Sequence, residues 1–116
     1  MSDLAVTFHL ESPPVQETGH PGSRATSYYI HGDAVSAANL TEPKHADHWC
    51  QVSEIDVQAL PGAAAVVALG DSITDGHGAT TNGNDRWMDV LSQRLQNLPS
   101  TRNIGVSNQG IGGIIC

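Results

Sequence analysis

The chain has 116 residues, with 12 acidic side chains, five basic ones and a formal net charge of -7. That balance excludes a nucleic-acid phosphate backbone as partner, because neutralising phosphates takes clustered Lys and Arg. Aromatic residues are only 4% and charged residues 15%, with 12 glycines, a composition suited to loops and turns in a chain of single-domain size.

The longest apolar run, Ala63 to Leu69, is far too short to span a bilayer. Met1-Ser2-Asp3 opens without the basic and apolar regions of a signal peptide. Cys50 and Cys116 lack metal-ligand or CxxC spacing and settle neither a disulfide nor a compartment.

Leu4, Val6, Phe8 and Leu10 alternate with more polar neighbours, which predicts a strand with one buried face, ended by Pro13-Pro14. Residues 15 to 27 read as a loop, Tyr28-Tyr29-Ile30 as a second short strand, and His31-Gly32-Asp33 as a turn. Periodicity leaves Ala34 to Leu40 open between a helical turn and an extended segment. His48 to Val57 is a third extended candidate, so residues 1–60 read as a small β-rich unit.

The character changes after Pro61-Gly62. Ala64 to Leu69 is small and β-branched without a polar interruption, which predicts a strand buried on both faces, as in a parallel sheet covered by helices. It stops at Gly70 and delivers Asp71 and Ser72 beyond the strand's carboxyl end, where open α/β sheets bind ligands. A glycine-rich loop follows to Asn84. Asn84 or Asp85 then offers an N-cap for a helix through about Asn97, with Trp87, Met88, Leu91, Leu95 and Leu98 on one apolar face. Pro99 stops that helix. Ile104 and Val106 mark another strand over Asn103 to Ser107, and Asn108 to Gly113 is a second glycine-rich strand end. This order predicts a βαβ unit with both glycine-rich ends on one edge of a parallel sheet.

Gly70-Asp71-Ser72 by itself is a common tripeptide that also makes tight turns. Several glycine motifs are absent around it. A P-loop needs Lys and Ser/Thr after its last glycine, but His77 follows Gly76; a nucleophile elbow needs glycine where Thr74 stands; a dinucleotide fingerprint needs a glycine at Thr81.

The whole arrangement, with Ala68 to Gly76 as one block and Asn108 to Gly113 as a second, resembles the GDSL, or SGNH, hydrolase family of esterases and lipases. Residues 64 to 113 carry this resemblance. Residues 19 to 57, including Gly19-His20-Pro21-Gly22-Ser23-Arg24 and His48-Trp49, are similar to the β-rich segment before the catalytic domain in some bacterial members. The resemblance implies an α/β, flavodoxin-like three-layer domain, begun but truncated in residues 61–116, after a β-rich accessory segment in residues 1–60. It implies Ser72 as nucleophile on an ester carbonyl, with the Ser72 N–H and the Gly113 N–H in the oxyanion hole, supported by Gly70, Asp71 and Asn108. Fixed donors there stabilise the charge of a tetrahedral intermediate more than they stabilise the ground state. It further implies a small-molecule or acetylated-carbohydrate ester as substrate, no cofactor and no metal, and a secreted or periplasmic setting. The competing reading is a non-catalytic carbohydrate-binding or interaction module with a vestigial Gly-Asp-Ser turn.

Other family parts have no match. The third block, Gly-x-Asn-Asp, is not reproduced by Gly83-Asn84-Asp85, and no Asp in the chain has His three residues on. Without that base a serine hydroxyl is a poor nucleophile at neutral pH. His77, beside Asp75, is a conceivable local base but reads better as a loop residue. Glu17-x-x-His20, Glu42-x-x-His45 and His45-x-x-His48 have ligand-like spacing, yet lie among Pro, Gly and Ala and read as solvated loops. The expectations are therefore a truncated chain, negligible ester hydrolysis by these 116 residues, and marginal stability for residues 61 to 116, whose sheet keeps open edges.

Overall fold

A computed structural model describes residues 4–113. Its backbone is built from short pieces: β1 (Gly19–His20), β2 (Ser27–Tyr29), β3 (Lys44–Ala46), β4 (Trp49–Cys50), β5 (Ala64–Gly70), α1 (Ser72–Asp75), α2 (Trp87–Asn97) and β6 (Ile104–Gly110). They form three two-stranded sheets: β1 with β4 and β2 with β3, both antiparallel, and β5 with β6, parallel.

The N-terminal alternation forms no strand. Residues 4–10 are irregular, with Leu4, Val6, Phe8 and Leu10 about half exposed or more. A period of two marks a face only where a neighbouring strand completes the ladder, and none lies alongside among the described residues. The extended candidate His48 to Val57 shrinks to β4 for the same reason, leaving Ile55 and Val57 exposed. Ala34 to Leu40 contains one turn, in which the Ala37 amide donates to the Ala34 carbonyl at 2.9 Å.

In the second half, β5 and β6 run in register from Ala64↔Ile104 to Gly70↔Gly110. Paired residues of a parallel sheet point to the same side, so Val66, Ala68, Ile104 and Val106 share one face. The helices cover that face in part: Ala68, Ile104 and Val106 are half-buried, whereas Val66 stays exposed. On the other, Val67 is 62% and Leu69 85% exposed, which corrects the expectation of a strand buried on both sides. An unbroken apolar run fits either case, and among the described residues only one helical layer packs on this sheet.

Helix α2 begins at Trp87, with Arg86 as N-cap, two residues later than Asn84 and one later than Asp85 would place it. Asn84 has φ +47°, outside the extended region an N-cap occupies, and the Asp85 carboxylate instead accepts from the Thr80 amide at 2.9 Å. The Asp89 carboxylate takes the otherwise orphaned Arg86 amide at 3.0 Å. Met88 is the buried centre of the helix's apolar face, whereas Trp87 and Leu98 are about half exposed.

Candidate functional site at the carboxyl edge of the parallel strands

Chain direction in a parallel pair carries both strand ends to one edge, and there β5 passes into α1. Asp71 caps the helix in an extended conformation, its carboxylate accepting from the Ile73 amide at 3.0 Å. Ser72 is therefore the first helical residue, half-buried, and its N–H has no acceptor within so short a helix. Gly76 closes the turn with φ +113°, and the amides of Gly76 and His77 both donate to the Ser72 carbonyl, at 3.0 and 2.7 Å.

The two strand-end glycines explain how the serine is held. A Cβ on Gly70 would lie 2.3 Å from Thr74 Oγ1, and one on Gly110 would lie 2.2 Å from the Asp75 amide nitrogen. These register partners together leave the space into which α1 settles. Asn108 locks it there: its Nδ2 donates to the Thr74 carbonyl at 2.7 Å, and its Oδ1 accepts from the Gly110 amide at 2.9 Å. The Ile111 amide then donates to the Gly70 carbonyl at 2.9 Å and carries the chain toward Gly113, which is exposed with φ +85°. Gly70, Asp71, Ser72 and Asn108 thus gather at one sheet edge, with Asn108 engaged in holding the backbone, and Gly113 follows three residues beyond the end of β6.

A second layer of contacts was not legible in the sequence. Asp75 is buried, and its Oδ1 accepts a 2.7 Å hydrogen bond from His20 Nε2, which as donor must carry the ring proton. His20 also meets Trp49 edge to face, with ring centroids 5.6 Å apart. Gly22 is required beside them, since a Cβ there would come within 2.5 Å of Asp75 Oδ2. Arg86 crosses Gly76 and donates to the Ser23 carbonyl, while buried Ser23 Oγ accepts from the Trp49 amide at 3.2 Å. Asn82 and Thr26 exchange two hydrogen bonds, of 2.9 and 2.7 Å. Residues 20–26 therefore brace the loop that follows Ser72. Glycines 19 and 22 and the Thr74-Asp75-Gly76 triplet were the available signals, but neither names its partner.

The described residues offer Ser72 no base. No hydrogen bond joins its hydroxyl to a histidine among them, and His77 is exposed. Two shallow depressions lie away from Ser72, of about 260 Å³ beside Tyr29, His31, Glu42 and Lys44 and about 400 Å³ beside Trp87, Leu91 and Arg94. No helix among the described residues is long and apolar enough to cross a membrane.

Elsewhere, one ligating atom each from Glu17, His48 and Cys50 lies within 4.8 Å of the others. A hydrogen bond to Glu17 raises the Cys50 thiol above its ordinary value, helped by burial and then by the Glu17 charge. The three ligand-like spacings in the sequence do not form this group, and Cys116 lies outside the described residues.

Residues 66–114 match the model of the family described as GDSL-like Lipase/Acylhydrolase. No curated protein matches the chain.

Proposed function

We propose that residues 66–114, a segment of the GDSL-like lipase/acylhydrolase family, hold the nucleophile of a serine esterase. The observation that carries this reading is the place of Ser72, first in α1 at the edge where paired Gly70 and Gly110 admit the helix. The Ser72 oxygen attacks the ester carbonyl, and the carbonyl oxygen becomes an oxyanion facing the N–H groups of Ser72 and Gly113. Collapse of the tetrahedral intermediate expels the alcohol and leaves an acyl-enzyme, which water hydrolyses. The substrate is a small-molecule ester, with acetylated carbohydrate among the candidates. Residues 1–60 form a β-rich accessory segment, and residues 61–116 contribute to a hydrolase domain of flavodoxin-like type.

A proton must leave the serine hydroxyl for attack to proceed, and these 116 residues contain no Asp-x-x-His to take it. The 116-residue chain therefore hydrolyses p-nitrophenyl acetate no faster than buffer. Turnover that Ser72→Ala abolishes would refute this. In a polypeptide that also carries the family's Asp-x-x-His, Ser72→Ala lowers kcat by about a thousandfold or more with unchanged circular dichroism. Full activity in that mutant removes Ser72 from the nucleophile's role.

A second reading, a non-catalytic carbohydrate-binding module, draws on the depression beside β2 and β3, where Tyr28 and Tyr29 are more than half exposed. Oligosaccharide binding lost in Tyr29→Ala, without Ser72-dependent turnover in the longer polypeptide, favours that reading.

A further inference from the structure

We propose that the β1–β4 ribbon carries a divalent-metal site for Zn²⁺ or a cation of like chemistry, with the Glu17 carboxylate, the His48 imidazole and the Cys50 thiolate as ligands.

The ribbon's two faces explain the grouping. Gly19 pairs with Cys50 and His20 with Trp49. Side chains alternate along a strand, so Cys50 projects on the Gly19 side while His20 and Trp49 project on the other, and Glu17 and His48, just before the two strands, bring their ligating atoms to Cys50. The second face is the one that meets Asp75. On the first face Gly19 has no side chain to intrude, and even a Cβ there would stand 3.5 Å from Cys50 Sγ. The three ligating atoms each lie within 4.8 Å of the others. In a tetrahedral zinc site such atoms stand about 3.3–3.8 Å apart, so side-chain rotation of about 1 Å closes the shell.

The donor set specifies the class of ion. Thiolate with imidazole favours zinc-like cations over Mg²⁺ or Ca²⁺, which take oxygen ligands. A thiolate and a carboxylate neutralise the dication, and the thiol proton passes to solvent as the S–metal bond forms. Glu17 is exposed, which leaves the fourth position open to water. Cys50 lies on β4, His48 just before that strand and Glu17 before β1, so the ion ties the approaches to the ribbon's two strands together.

The test is a titration of the reduced 116-residue chain with Co²⁺, which reports thiolate ligation by a sulfur-to-cobalt charge-transfer band and four-coordination by intense visible bands. The expected result is one equivalent bound, displaced by Zn²⁺ and not by excess Mg²⁺. The charge-transfer band disappears in Cys50→Ser and persists in Cys116→Ser, and affinity falls by at least about tenfold in Glu17→Gln and His48→Gln. Glu17 is exposed, so its variant retains the fold if the other two do not. A chain that shows no charge-transfer band with excess Co²⁺, a band that survives Cys50→Ser, or an affinity unchanged in Glu17→Gln overturns the proposal.

Discussion

Gly110 meets backbone where a Cβ would stand, 2.2 Å from the Asp75 amide nitrogen, and a backbone atom cannot rotate away as a side chain does. Gly110→Ala must therefore separate β6 from α1, at a cost of about 1–3 kcal/mol read as a lower urea midpoint. Asp75→Ala leaves the His20 ring without its acceptor and loosens the brace between residues 20–26 and the serine loop, with a similar expected loss of about 1–3 kcal/mol. Retention of wild-type stability would show that the His20–Asp75 contact is not formed. Asp85 gives a pH dependence of definite sign. Hydrogen bonds from the Thr80 side chain and then from its amide hold the carboxyl below the ordinary Asp range. The turn gains from the ionised form, so this contribution is complete above the unfolded Asp value, about 3.9, and disappears as pH falls through the lower folded value. The Thr80 amide resonance should accordingly shift with an inflection below that of a free Asp; an inflection at or above it contradicts the contact.

Among the elements, α2 depends most on a single side chain. Met88 is 2% exposed and is the buried apolar residue of the helix layer over β5 and β6. Met88→Ala leaves a cavity under the helix and is expected to cost about 2–5 kcal/mol by chemical unfolding. Trp87→Ala, at a half-exposed position, costs less, and equal losses from the two would mean that the helix is rotated from the orientation described. The existence and order of β5, α2 and β6 were legible because their signals are local: an apolar run bounded by Gly62 and Gly70, apolar residues at three- and four-residue spacing, and Pro99 after the helix. The first turn of α2 was not, because Asn84 and Asp85 are both good N-cap types. Their roles follow from a left-handed backbone and a contact to Thr80. The alternation over residues 4–10 misleads for a related reason, since a strand is defined by its neighbour.

For the molecule as a whole, surface is the governing quantity. The accessible area is 9410 Å², against about 6,100 Å² expected of a compact monomer of this mass. The radius of gyration is 16.2 Å, against about 13.4 Å for a compact domain of this length. Many large apolar side chains are exposed, including Val67 and Leu69 on the open face of the sheet. The chain should therefore bind a hydrophobic dye such as ANS in the absence of denaturant. Val67→Thr with Leu69→Lys should reduce that fluorescence without lowering stability, and unchanged fluorescence would place the dye site elsewhere.

Where Ser72 sits in the chain was determined by sequence alone, because every cause is local: an apolar run, a glycine that ends it and an aspartate that caps the next turn. The resemblance of residues 64 to 113 to GDSL hydrolases rests on the same local signals, and the family match over residues 66–114 agrees with it. Only the tertiary structure decided that β5 is covered on one face alone and there in part, that His20 reaches Asp75 across 55 residues, that Arg86 reaches Ser23 across 63, and that Glu17 meets His48 and Cys50. Those contacts depend on which strands pair and in what register, and residue pattern leaves that undetermined until distant segments pack.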